Sequence, residues 1–262
     1  FPGAMSEPPA LSIAGLTKRY GRLEAVSDLD LHVARGEIYA FLGPNGAGKT
    51  TTLKTVAGLL QADDGTIHVC GKPVEPDALP FRRVIGYVPD RPFLYEKLTA
   101  WEHLEFLAQV HDLKDWHDRA LAYLDLFRLT DWRHQLIDGF SHGMRQKLVL
   151  AGALLHRPEL LLVDEPMVGL DPRSSRDVKD LFRKQAAEGV GLFLSTHSLD
   201  IAAEIADRIG ILQGGRLIAE GTFEQLQNLA SRPGSSLEQV FLRLTEEQAE
   251  SGVPYAETGH GP

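Results

Sequence analysis

The stretch IYAFLGPNGAGKTTTLKTVAGLL, residues 38–60, decides how the chain is read. A compact apolar run, IYAFL, breaks into Gly43, Pro44, Asn45, Gly46, Ala47 and Gly48. Lys49, Thr50 and Thr51 follow, and apolar residues then recur at helical spacing through Leu53, Val56, Ala57 and Leu60. Residues 43–50 fit G-x-x-x-x-G-K-[ST] through Gly43, Gly48, Lys49 and Thr50. An ordinary glycine-rich turn is the alternative, but the strand before the loop and the helix expected over 49–60 are the context a phosphate loop requires. Such a loop wraps a polyphosphate in inward-pointing backbone N–H groups, and bulky side chains would block the wrapping. The helix N-terminus adds positive potential. Lys49 brings a point charge to the β- and γ-phosphates, and Thr50 offers a hydroxyl to Mg²⁺. Residues 43–51 are therefore the expected nucleotide-binding residues, with Lys49 also catalytic.

A second motif, LLLVDE, spans residues 160–165. Four apolar residues make a buried strand that ends in Asp164 and Glu165. Ligands of open parallel sheets bind beyond the carboxyl ends of strands. Asp164 is expected to hold Mg²⁺ through water, and Glu165 to polarise an attacking water. The alternative is that Glu165 merely starts a helix, because Pro166 follows it.

Outward from these motifs the chain organises itself. LSIAGL, AVSDLDLHV and EIYAFL read as strands separated by turn signals such as Tyr20-Gly21 and Arg35-Gly36. GTIHVCG and VIGYVPD read as two more strands. From about residue 99 to 130 the pattern is helical, with Thr99 and Glu102 placed for a capping box. Another helix is expected over 144–155. Strand-like runs then alternate with helices, the mark of a parallel sheet covered by helices. The fold class expected is α/β: a phosphate-loop core with a mostly parallel sheet, an N-terminal antiparallel β subdomain and an inserted helical subdomain. The core takes residues 11–90 and 156–225, and the insertion takes 91–155. A last helix is read in LEQVFLRLTEEQAE, yet the folded unit is expected to end near 244, with 245–262 a flexible tail. Met5 is read as the native start and residues 1–4 as a tag remnant.

The 262 residues suit one large domain, and 43% hydrophobic with 24% charged is an ordinary core-forming composition. A net charge of -9 argues against nucleic acid as a partner. The one cysteine, Cys70, excludes an internal disulfide and is read as a small buried apolar residue. No apolar run approaches the roughly 20 residues of a membrane span. The histidines lack metal-site spacing and are read as surface or structural, His142 and His197 apart.

Further pieces fall in a fixed order. FSHGMRQKL lies between the two motifs, and GLDP and STH follow them. In this order they resemble the ATP-binding cassette (ABC) ATPases, over residues 11 to about 244. The resemblance implies that Tyr20 stacks on adenine, and that SHGMRQ is the family signature. It places Ser141, His142 and Gly143 against the ATP of a second copy. It also places Asp171 at the dimer interface and makes His197 the switch histidine at the γ-phosphate. Two copies would sandwich ATP and Mg²⁺, hydrolyse and open. Each residue has a plainer reading: Tyr20 as surface, Ser141 as a helix N-cap, His197 as structural.

Two departures stand out. His142 and Met144 replace the glycine and glutamine usual in the signature. Asp90, in VIGYVPD, replaces the glutamine that approaches Mg²⁺ and the attacking water. Asp90 is therefore expected as a metal-proximal, catalytic carboxylate; the alternative is a displaced, solvated one.

The leading reading is a Mg²⁺-dependent ATPase subunit of a transporter at the cytoplasmic face of the cell membrane. Its partners would be a second ATPase subunit, identical or related, and a separate integral membrane permease. RPFLYEKLTAWEHLEF, GRLIAEGTFEQL and SSLEQVFLRLT resemble subunits of drug, antibiotic or polysaccharide exporters. Two other readings stay open: a soluble ABC ATPase on a cytosolic scaffold, as in iron–sulfur assembly, and a regulatory ATP-binding module without turnover.

Overall fold

Residues buried on both faces set the architecture. Ile38–Leu42, Leu160–Asp164 and Gly191–Thr196 are buried at every position, as strands covered by helices on both sides must be. A computed structural model describes residues 7–75, 79–231 and 233–250. In chain order these hold β1 (Leu11–Tyr20), β2 (Leu23–Val33), β3 (Ile38–Leu42), α1 (Lys49–Val56), β4 (Asp64–Val69), β5 (Lys72–Pro73), α2 (Leu79–Arg82) and β6 (Ile85–Val88). A helical block follows: α3 (Ala100–Val110), α4 (His117–Leu126) and α5 (His142–Leu155). The alternation resumes with β7 (Leu160–Asp164), α6 (Pro172–Ala187), β8 (Gly191–Thr196), α7 (Leu199–Ile205) and β9 (Arg208–Gln213). β10 (Arg216–Gly221), α8 (Phe223–Leu229) and α9 (Leu237–Glu250) complete the described chain.

The strands form an antiparallel sheet, β2-β1-β4-β5, and a second sheet in the order β10-β9-β3-β8-β7-β6. In the second, β9, β3, β8, β7 and β6 run parallel to one another, and only β10 runs antiparallel. This is the α/β class expected, with the antiparallel N-terminal sheet and the helical insertion between β6 and β7. Alternation across each strand divides the core. Leu161 and Val163 of β7 face the cluster that holds the inserted helices. Leu160 and Leu162 face the other side with Tyr39, Phe41 and Phe193. The insertion is thus packed against one face of the sheet that carries the phosphate loop.

Helix ends differ from expectation for local reasons. α1 stops at Val56, not at 60, because Gly58 turns left-handed (φ 68) and Leu59 N–H returns to the Lys54 carbonyl at 2.9 Å. α5 starts at His142, not at 144, because Ser141 is its N-cap: Oγ accepts from Met144 N–H at 3.3 Å. At the far end α9 spans the helix read in LEQVFLRLTEEQAE, Leu237–Glu250, so residues 245–250 are helical although the folded unit was expected to end near 244. Residues 1–4 and 251–262 lie outside the described residues. Thr99 and Glu102 do form the capping box, with bonds of 2.8 and 3.2 Å. Cys70 is buried, and burial pushes its thiol up to about 11, which leaves it unreactive.

Candidate nucleotide site

β3 sits between β8 and β9, where chain connections leave in opposite directions, so a crevice opens beyond its carboxyl end. The phosphate loop occupies that crevice. Gly48 has φ 108, and a β-carbon there would collide with the Ala25 carbonyl oxygen, so the loop can close only on glycine. α1 begins at Lys49 with no side-chain cap, leaving its first N–H groups for a ligand. Lys49 is 6% exposed, and its ammonium donates to the carbonyls of Gly43 (2.6 Å) and Pro44 (3.1 Å). Burial lowers its pKa, while Glu165 and Asp164 act in the opposite sense.

Those two carboxylates end β7, which lies in parallel register with β8, Asp164 opposite Ser195. Ser195 Oγ donates to Asp164 Oδ1 at 2.7 Å. Asp164 is 1% exposed, and its Oδ2 has no partner among the described residues. Glu165 departs from the strand with φ 52 and donates its N–H to the Ser195 carbonyl at 2.9 Å. Thr196 Oγ1 donates to Glu165 Oε2 at 3.2 Å, and His197 Nδ1 lies 2.7 Å from Oε1. No helix starts at Glu165; the next one begins at Pro172.

Tyr20, Asn45, Gly46, Ala47, Gly48, Lys49, Thr50, Thr51, Asp90, Asp164 and Glu165 line one cleft of about 350 Å³. Tyr20 is half exposed on its rim, with the Lys18 ammonium 5.9 Å from the ring centre. Asp90 is exposed, and its Oδ1 accepts from the Arg91 N–H at 2.8 Å. Ser141, His142, Gly143 and Asp171 do not line this cleft. Ser141 caps α5, while Asp171 caps α6 and accepts from the N–H groups of Arg173 and Ser174 at 3.0 Å. The Ser174 hydroxyl and those N–H groups hold the Asp171 carboxyl down to about 2. A larger hollow of about 950 Å³, lined by Arg119, Tyr123, Arg157 and Lys184 among others, contains none of the motif residues. The site is therefore the smaller cleft, where the chemistry converges.

Sequence reasoning missed the groups that aim these carboxylates. Ser195 and Thr196 lie inside the STH run but act through the β7–β8 register. Tyr87 was missed as well, though it bonds neither carboxylate: its buried hydroxyl has no partner among the described residues, and burial with the fields of Asp164 and Asp90 pushes the phenol up.

The profile of the ABC transporter family matches residues 26–168. The daunorubicin resistance ATP-binding protein DrrA3 of Streptomyces coeruleorubidus is 40% identical over 220 residues, 83% of this chain and 70% of its own. The SkfA peptide export ATP-binding protein SkfE of Bacillus subtilis (strain 168) is 36% identical over 222 residues, 84% of this chain and 92% of its own. A solved ATP-binding subunit of an ABC transporter superposes with a TM-score of 0.87 at 35% identity, covering 90% of this chain and 99% of that one. With the phosphate loop, paired carboxylates and cassette topology in place, the chain belongs to the ABC transporter family, as an ATP-binding subunit that hydrolyses ATP.

Proposed function

We propose that this ATPase subunit powers export through a separate membrane-spanning chain, with the Mg²⁺ complex of ATP held between two copies. The observation that carries the two-copy reading is the division of the motif residues. Lys49, Asp164 and Glu165 share one cleft, while Ser141, Gly143 and Asp171 stand outside it at the starts of α5 and α6. In this reading a second copy supplies the missing edge. Export is supported by SkfE, named for peptide export, and by DrrA3, named for daunorubicin resistance.

The residues fit a metal–nucleotide complex. Asp164 Oδ2 is buried and free to accept, which is how a carboxylate holds a metal-bound water. Among the described residues no cluster of His, Cys, Asp and Glu could hold a metal by itself, so phosphate oxygens and the Thr50 hydroxyl would complete the set. When bound, Mg²⁺ supplies charge neutralisation on the transferring phosphate. The loop N–H groups and Lys49 hold the phosphates, and Tyr20 offers its ring to the base. Asp90 adds a carboxylate on the metal side. Glu165 accepts the proton of the attacking water. His197 orients that carboxylate through the 2.7 Å contact, its ring otherwise exposed.

Glu165→Gln tests this. It keeps the side-chain shape but removes the base, so ATP turnover should fall by roughly 100-fold or more. ATP should remain bound, and sedimentation should show an ATP-dependent dimer. Equal turnover in the two proteins would remove Glu165 from the reaction.

A further inference from the structure

The proposed reaction makes no use of the His142 imidazole, which stands where the family signature usually has glycine. The structure shows what the ring touches. A β-carbon added at Gly169 would lie 3.0 Å from His142 Nε2 and closer still to Cδ2, so the ring sits directly on the Gly169 backbone. Gly169 lies in the loop between β7 and α6, with φ 77, and no other residue would leave room for the imidazole there. The next residue meets the same loop from its own side. A β-carbon at Gly143 would lie 3.0 Å from the Gly169 carbonyl oxygen and 3.7 Å from Leu170 Cδ2. Behind this contact Met144, Met167 and Leu170 pack against one apolar cluster. At either end Ser141 and Asp171 are fixed as the caps of α5 and α6.

We infer that His142 is a positioning residue: it clamps the signature turn, 141–143, to the loop 169–171. Ser141, Gly143 and Asp171 then meet the second copy's nucleotide as one pre-assembled edge. This rests on the two-copy reading above. Glycine at 142 has no atoms to make the contact, and the two segments would have to be ordered at the moment of association. Ordering them beforehand lowers the cost of forming the dimer. The effect therefore belongs to the two-copy step and not to ATP capture by one chain.

The test uses the full chain with Glu165→Gln, which arrests turnover. His142→Ala should raise the protein concentration for half-maximal ATP-dependent dimer at least about fivefold, equivalent to about 1 kcal/mol. Affinity of the single chain for a fluorescent ATP analogue should change less than about twofold. His142→Phe keeps a ring on Gly169 and should recover most of the loss. Gly169→Ala should destabilise the single chain at least about threefold more with His142 present than in a His142→Ala background, because the ring is what the new methyl strikes. Additive Gly169 and His142 effects, or a Phe variant no better than Ala, would overturn the clamp. If the Glu165→Gln parent forms no dimer with ATP, the two-copy reading fails, and the single-chain stability cycle still reports separately on the contact.

Discussion

Asp90 puts a third carboxylate on a cleft wall that already holds Asp164 and Glu165. It is exposed and engaged with the Arg91 N–H, so it reaches the cleft from the solvent side. An amide at this position would offer the same kind of oxygen without the charge. Asp90→Gln should therefore retain ATP hydrolysis while moving the Mg²⁺ concentration for half-maximal rate upward by about two- to fivefold. That is the scale of losing one partly screened charge near a divalent ion. An unchanged Mg²⁺ titration curve would return Asp90 to the role of a solvated side chain. At this scale the sequence was most legible where contiguous spacing sets the chemistry, as in Gly43–Thr50 and Asp164-Glu165. It was opaque for Ser195 and Thr196, whose bonds to those carboxylates cross 31 positions and depend on how two strands align. Ser141 was legible in the plainer of its two readings: its hydroxyl is the N-cap of α5.

Among the elements, α3 carries a buried histidine that periodicity could not separate from the surface ones. His103 is 5% exposed, its Nδ1 has no partner among the described residues, and burial pushes it down to about 4 from 6.5. The Tyr95 ring lies 6.4 Å away, and no charged group contributes to the shift. The folded chain holds His103 neutral, whereas the unfolded chain takes up a proton near 6.5. Its contribution to stability is complete above that pH and drains away as pH falls toward 4, a loss of about 3 kcal/mol. His156 on the C-cap of α5, stacked on His111 at 4.0 Å, is also pushed down to about 4 and adds a parallel loss. His103→Phe should remove the first share and leave the second. Urea unfolding at pH 7 and pH 4.5 measures it: a wild-type drop no larger than the variant's would remove the buried imidazole from the account. The capping box at Thr99 was visible beforehand because its two partners are neighbours in sequence. The end of α1 was not, because apolar spacing continued to Leu60 past a turn that Gly58 had already imposed.

Across the whole molecule, the nucleotide cleft and an exposed aromatic face are joined by very little chain. Asp90 lines the cleft, and three residues later Phe93 is 80% exposed. Phe93 meets Tyr95 edge-on at 6.1 Å, and Tyr95 meets Phe106 of α3 at 5.4 Å, with Tyr95 51% and Phe106 39% exposed. Exposed rings in contact with one another mark a surface awaiting a partner. In our reading the membrane-spanning chain docks on these rings; no helix among the described residues is long and apolar enough to cross a membrane. From this face the path into the cassette is short in both directions. One way lies Asp90 on the cleft wall; the other way α3 packs on α5, whose first residues are the signature turn. In our reading a push on the aromatic face would thus reach the chain's own cleft one way and the second copy's nucleotide the other. Phe93→Asp places a charge on the most exposed ring of that face while touching no cleft residue. In detergent extracts of native cells, recovery of a polytopic membrane protein with the tagged chain should fall at least about tenfold, the usual cost of removing a central aromatic anchor. ATP-analogue affinity of the isolated chain should hold within about twofold. Undiminished recovery would move the docking face elsewhere, and recovery of only a soluble scaffold would replace the transport reading while leaving the ATPase intact.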